Sequence, residues 1–314
     1  MTDQITPTSA LDIEIEKKRR WPWIAGDIEI EKKRRWPWIA GAATAVAAIV
    51  GGVVYANLAN QDKAFGTQLE VATWSTDIAA ETLLDHIATE IAPDHGITIK
   101  PVKIDNLVEI NRAVDAGVVA GNFFEHQPFL NDAIAANGFE LTLAAPTFTW
   151  DQATYSDKYD SWDEIPNGAK IALRDDPAGQ AIALLDLAEA SQITLKPGKD
   201  TVEGLPQLSD IASNPKNYTF VQVPIGQLAR SLPDVDAVVV HISDVYAAGL
   251  TEDQIIDRHE APKGSEGGLV VSNKHLDDEN VQKLIATFQD PRIGEYLETT
   301  DNALIRDTLG PVSR

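Results

Sequence analysis

Between residues 69 and 124, apolar runs of two different periods alternate, and that alternation restricts the fold more than any single motif does. Residues 69–73, LEVAT, read as a strand. Residues 78–91 carry helical spacing behind a cap offered by Ser75 to Asp77. Residues 97–104, ITIKPVKI, alternate as a second strand, and Pro101 within it marks an edge or a bend. Residues 106–116 read as a helix and 118–124 as a third strand. Strand–helix–strand–helix–strand is the order of a parallel α/β sheet.

The alternation then continues. Residues 127–136 read as a helix, 141–149 as a strand, and 161–165 as a short turn-like helix. Residues 169–173 form a strand that opens at once into Asp175, Asp176, Pro177, Ala178 and Gly179, with a helix over 180–190. A strand that opens into a helix N-terminus is a usual place for an anion, although two aspartates there cap the helix and oppose one. Further strands fall at 218–223 and 237–241, with a helix over 225–232 between them. A late strand follows at 268–272 and terminal helices at 280–290 and 293–299. The order predicts two α/β lobes, with the chain crossing near Trp150 and returning after His241. Lobe 1 then takes 68–150 plus 245–314, and lobe 2 takes 151–244.

The third strand runs into GNFFEHQPFL, residues 121–130. Three aromatics, a carboxylate, a histidine and a proline there mark the exit from a core toward an edge or cleft. Pro128 restricts Gln127 to an extended conformation and blocks strand pairing. Phe124, His126 and Phe129 are therefore expected around an opening, with apolar faces for a ligand and one imidazole to orient it. The alternative is a strand end capped by buried aromatics.

The N-terminal region is different in kind. Residues 1–11 are polar. The segment DIEIEKKRRWPWIAG occurs at 12–26 and again at 27–41. Two copies do not build a solenoid, which takes at least about three stacked units, so the repeat reads as a local duplication of a juxtamembrane segment, most of it within a tail over 1–35 that is expected to be cytoplasmic. Residues 36–57 then run without a charge and satisfy the length of one transmembrane helix, about 20 residues. Trp36, Trp38 and Tyr55 sit near its ends, and Lys32, Lys33, Arg34 and Arg35 precede it. The positive-inside rule then leaves the N-terminus in the cytoplasm and the body outside the cell, beyond a linker over 58–67. The competing reading is a cleaved signal peptide; the 35-residue leader and the long apolar run favour an uncleaved anchor at the cell membrane.

Charge narrows the partners. Residues 1–41 hold eight basic and seven acidic residues. Taking these from totals of 26 and 48 leaves 18 basic and 41 acidic residues in the remainder. A body that acidic lacks the basic patches that nucleic acid requires. The chain has no cysteine, which removes disulfides, thiolate sites, cysteine nucleophiles and the residue a lipoprotein anchor needs.

With these pieces in place, the body resembles the NlpA/MetQ family, the methionine-type substrate-binding proteins of ABC importers. AGNFFEHQPFL is similar to the family block N-x-F-x-H-x-P-Y-L. Tyr155-Ser156-Asp157-Lys158 resembles YSxK, and residues 162–172 resemble ldElpdGakia. Asp175-Asp176-Pro177 resembles NDP, and residues 234–239 resemble DvDaavv. The matches run in order from about residue 69 to 308.

The resemblance implies a two-lobed, periplasmic-binding-protein-like fold of type II character that closes on an amino acid. It implies a permease and an ATPase as partners and no cofactor. It maps Phe124, His126 and Phe129 onto the ligand shell, with Phe129 replacing a usual tyrosine. Leu107 stands at another usual tyrosine. Ile182 falls where the family has the arginine that pairs with the ligand carboxylate, and His241 and Gly268 fall near usual asparagines. A buried carboxylate needs a partner, and a bidentate arginine is a strong one. Arg174, on the preceding strand end, is the candidate substitute. The implied solute is therefore something other than free methionine, or is held by a different polar set.

Other readings have less behind them. Trp74 and Trp150 lie at a strand end and at the crossover, in the cleft or packed at a hinge. Asp175 and Asp176 are candidate caps, and Tyr155 is structural. His241 and Asp244 are placed to reach the cleft together. A divalent-cation site from His126, His241, Asp175 and Asp244 lacks close ligand spacing. His86, His95, His259 and His275 sit in polar surface contexts. No nucleophile elbow, His-Glu-x-x-His or phosphate loop is present, so binding rather than an enzymatic reaction is expected. A paired-carboxylate hydrolase is the residual enzymatic reading. A receptor-like or scaffolding protein without high-affinity transport is the main alternative.

Overall fold

The first strand, β1 (Gln68–Trp74), is fully buried at Leu69, Val71 and Ala72. Asp77 then caps α1 (Ile78–His86), accepting from the Ala80 N–H at 3.0 Å, an arrangement worth about 1 kcal/mol. A π-helical turn over Ile87–Ile91 extends the helix. β2 (Thr98–Ile104) lies parallel to β1 at the sheet edge, where Pro101 is tolerated. α2 (Leu107–Asp115) is capped by Asn106 and leads to β3 (Gly121–His126), every residue of which is buried. α3 (Gln127–Asn137) and β4 (Leu141–Trp150) follow.

The structure, a computed structural model, describes residues 65–312. The expected tail over 1–35, the tandem repeat, the membrane segment over 36–57 and most of the linker over 58–67 lie outside the described residues. Among the described residues, no helix is long and apolar enough to cross a membrane.

One residue, Asp151, separates β4 from β5 (Gln152–Tyr155), the first strand of a second sheet. That sheet adds β6 (Lys170–Arg174), followed by α4 (Pro177–Glu189). A two-stranded ribbon of β7 (Thr194–Leu195) and β8 (Ile211–Ser213) intervenes. Then come β9 (Thr219–Val223), α5 (Ile225–Leu228), β10 (Ala237–His241), α6 (Ile242–Ala248) and β11 (Ile255–His259). The chain returns to the first sheet with β12 (Gly267–Ser272). It ends in α7 (Glu279–Phe288), α8 (Arg292–Thr299), α9 (Ala303–Thr308) and β13 (Leu309–Pro311).

The strand orders are β13-β4-β12-β3-β1-β2 and β11-β5-β10-β6-β9. Neither sheet is wholly parallel. β1 pairs parallel with β2 and β3, but β12 enters antiparallel to β3 and β4, because it arrives from the second sheet in the opposite direction. The second sheet is parallel across β10, β6 and β9 and antiparallel at β5 and β11. The sequence ends the second lobe at 244; the pairing of β11 with β5 carries the second sheet on to His259.

Strand pleating sets the core. Phe123 and Phe124 point to opposite faces of β3. Phe123 packs against Phe148 and Phe288, at ring separations of 4.9 and 5.0 Å, in the large core beneath the first sheet. Phe124 joins a smaller cluster with Ile110, Leu130, Phe139 and Leu141. Pro128 does not end strand pairing in the way expected. β3 stops at His126, and Pro128 sits in the first turn of α3, where its missing N–H costs nothing.

Candidate functional site

Five of the strands deliver a side chain to one cavity from their last residue. Trp74 ends β1, His126 ends β3, Trp150 ends β4, Arg174 ends β6 and His241 ends β10. Carboxyl ends of strands are where open α/β sheets place ligands. Asp77, Leu107, Phe124, Glu125, Phe129, Ile225 and Asp244 complete the lining. Residues of both sheets thus face the same space. Its free volume is about 30 Å³, so the lobes must part, or side chains turn, to admit anything larger than a few waters.

Of the residues singled out in the sequence, Phe124, His126, Phe129, Leu107, His241 and Arg174 line this cavity. Phe124 and Phe129 also belong to the core, so their two alternative roles coincide; their rings meet edge to face at 6.0 Å. Ile182 and Gly268 do not line it. Ile182 is 2% exposed within α4 and carries no charge to offer. Gly268 lies inside the first sheet opposite Glu125 and Pro146. A Cβ there would stand 2.8 Å from Pro146 Cα and closer still to the Ala145 carbonyl oxygen. Its role is close strand approach.

The polar groups are tightly held. His126 caps α3, its Nδ1 accepting from the Phe129 N–H at 3.2 Å. Burial and then the nearby Arg174 push its pKa down to about 4, so the ring is neutral. His241 stacks on Trp150 at 5.6 Å and 9°. Burial, then Arg174, holds it well below the usual imidazole range. Trp150 donates from Nε1 to Asp77 at 3.0 Å. Asp77 is raised by burial, against the hydrogen bonds it accepts.

Glu125 accepts from Asn111 at 3.0 Å and from Asn122 at 2.9 Å. Burial nevertheless lifts it to about 7. Asp244 is likewise raised to about 7, by burial first and the Asp77 charge second, with Arg174 pulling the other way.

Arg174 is 8% exposed and donates from Nε to Asp176 at 2.6 Å. Burial alone would raise Asp176, but Arg174 and the Gly179 N–H outweigh it and hold that carboxyl low. Asp176 acts as the cap of α4 and as the partner of Arg174. Asp175 is not part of the lining. The cavity therefore has aromatic walls, neutral imidazoles, one guanidinium with a carboxylate beside it, and acidic groups at Asp77, Glu125 and Asp244.

Asp77, Glu125 and Ile225 were not among the sequence candidates. Asp77 reads as a cap, which it is, and nothing local says that its carboxylate also faces a cavity. Glu125 sat between two candidates, and only its amide partners Asn111 and Asn122 reveal that it is buried. His259 is not at the surface as expected. It is 5% exposed and bonds Thr154 Oγ1 at 2.9 Å. Among the described residues, no group of three or more His, Cys, Asp or Glu side chains is arranged to hold a metal ion.

The chain has clear relatives. A family model described as NlpA lipoprotein matches residues 69–306. D-methionine-binding lipoprotein MetQ of Escherichia coli (strain K12) is 31% identical over 258 residues, covering 80% of this chain and 92% of that protein. Lipoprotein 28 of the same strain is 28% identical over 265 residues, covering 82% and 94%. Among solved structures, a nutrient binding protein from Burkholderia cenocepacia bound to methionine matches with a TM-score of 0.67 at 28% identity. It covers 78% of this chain and all of that one. A periplasmic substrate-binding protein of an ABC transporter from Coxiella burnetii matches with a TM-score of 0.67 at 26% identity, over 78% and 100%. The fold is the two-lobed α/β fold of such binding proteins.

Proposed function

The chain belongs to the NlpA lipoprotein family, and on that premise we propose that it is an extracytoplasmic solute-binding protein of an ABC importer. It captures an amino acid or related small solute between its lobes and hands it to a membrane permease driven by an ATPase. The observation that carries the reading is the cavity itself, which draws Phe124, His126 and Phe129 from one sheet and Arg174 and His241 from the other. A solute that touches both lobes stabilises their closed arrangement by its differential contacts, and binding without chemistry suffices.

Relatives named for methionine support an amino-acid solute. The polar set is this chain's own. Arg174 stands in for the charge that Ile182 lacks, with its guanidinium in the cavity and its two Nη groups without a partner among the described residues. Phe124, Phe129 and Leu107 supply the apolar wall. The body is tethered through residues 36–57, with the N-terminus cytoplasmic. The uncharged run and the lack of any cysteine for a lipid anchor support this.

Calorimetric titration of the purified body with a panel of amino acids, L- and D-methionine included, tests the reading. Saturable binding of at least one, weakened about tenfold or more by Arg174→Ala, is expected. Absence of binding across the panel overturns it.

A further inference from the structure

The geometry points to Asp244 as the anchor for a cationic nitrogen, so that the solute class is an amine or amino acid and an amine-free carboxylic acid is rejected. This rests on the solute-binding reading and specifies what that site selects.

Four carboxylates surround or adjoin the cavity, and three are committed. Asp77 accepts from the Ala80 N–H and from Trp150 Nε1. Glu125 accepts from Asn111 and Asn122 through separate oxygens. Asp176 accepts from Arg174 and the Gly179 N–H. Asp244 makes no hydrogen bond among the described residues. Its one ion-pair neighbour, His241 Nδ1, is 3.9 Å away, and its side chain is only 13% exposed. A carboxylate so far removed from water calls for a charged partner.

The position fits the task. Asp244 lines the cavity and also an adjoining groove formed with Trp74, Thr76, Ile225, Gly226 and Arg230. Trp74 and Ile225 are shared by both spaces as well, so this carboxylate stands where the two adjoin. The local charge agrees. The Arg174–Asp176 pair is formally neutral, and the other ionisable groups of the lining are the carboxyls Asp77, Glu125 and Asp244 and two neutral imidazoles, so an unpaired cation is not already present. Arg174 lines the same cavity with its Nη groups unpartnered among the described residues, so a zwitterion finds an acceptor and a donor in one space. The elevated Asp244 pKa is in keeping, since a carboxyl waiting for a cation holds a proton until the cation arrives.

Three probes with one side chain separate the charges: methionine, its decarboxylated amine 3-(methylthio)propylamine, and the amine-free acid 4-(methylthio)butanoate. Titrated calorimetrically against the wild-type body at one pH, methionine and the amine are expected to bind and the acid is not. Asp244→Asn is expected to weaken both binders about thirtyfold, and Asp244→Glu to restore part of the loss. Circular dichroism establishes that each variant is folded, and the amine-against-acid comparison needs no variant at all. Acid binding within threefold of methionine, or unchanged affinities in Asp244→Asn, overturns the ammonium anchor and leaves the solute-binding reading standing. Failure of the wild type to bind any of the three, together with a silent amino-acid panel, overturns both.

Discussion

Arg174 lies directly against the backbone of Gly179. A Cβ at 179 would stand 2.7 Å from the guanidinium carbon and closer still to Nε and Cδ. A side chain at 179 would therefore displace Arg174 from the conformation it holds against the first turn of α4. Helix propensity alone favours alanine over glycine by about 1 kcal/mol, so a net loss in Gly179→Ala isolates the collision. Urea unfolding is expected to show a loss of about 1–2 kcal/mol, and solute affinity should fall with it. A more stable variant with intact affinity would contradict this placement of Arg174.

Stability should fall as the pH rises through neutrality. Glu125 and Asp244 titrate at about 7 in the folded protein and near ordinary carboxyl values when unfolded. Between those values the folded state holds protons that the unfolded state has lost, so raising the pH favours unfolding. The buried, depressed histidines His126, His241 and His259 act in the opposite direction, but only below about pH 6.5. Asn111 and Asn122 face Glu125, while Asp77, Arg174 and His241 face Asp244. From pH 6.5 to 8 each carboxyl is expected to cost about 1 kcal/mol. Denaturation of Glu125→Gln across that window should show a shallower fall than wild type.

Asp186 is a candidate for stabilisation by removal. It is fully buried in α4, neither carboxylate oxygen has a hydrogen-bond partner among the described residues, and burial followed by Glu189 and Asp257 raises its pKa well above normal. Replacing an unpaired buried carboxyl by an apolar side chain of similar size should stabilise the fold by about 1–3 kcal/mol. Thermal unfolding of Asp186→Leu checks the sign. A lower melting temperature would show that the carboxyl has a use in the folded protein.

Trp150→Phe keeps an aromatic ring against His241 and removes the Nε1–H donor to Asp77. The loss of one bond to a buried carboxylate should cost about 1–3 kcal/mol in urea unfolding. It should also raise the pKa of Asp77 further, a shift visible in carbon-detected titration of that side chain.

Much of the first sheet is legible in the sequence because each strand and helix announces itself by its own period. β5, β11 and β13 do not. They are three to five residues long, and antiparallel pairing with distant segments holds them in place, so local pattern carries little of the signal. That is why the return to the first lobe reads fifteen residues too early, at 244 instead of after His259. In the site, Phe124, His126 and Phe129 are readable because three ring-bearing residues crowd around one proline. Ile182 and Gly268 entered only through resemblance, and their side-chain volumes, buried in a helix and absent in a sheet, decide against the cavity. Asp77 and Glu125 are invisible in the chain because a capping carboxylate and a cavity-facing one have the same local sequence.

The cap that His126 provides for α3 has a consequence for recognition. With Nδ1 occupied as an acceptor of the Phe129 amide, and the ring uncharged at physiological pH, the single imidazole proton resides on Nε2. The tautomer is thus dictated by the start of a helix, and a guest that offers a lone pair is welcomed at this ring where one offering a hydrogen is turned away.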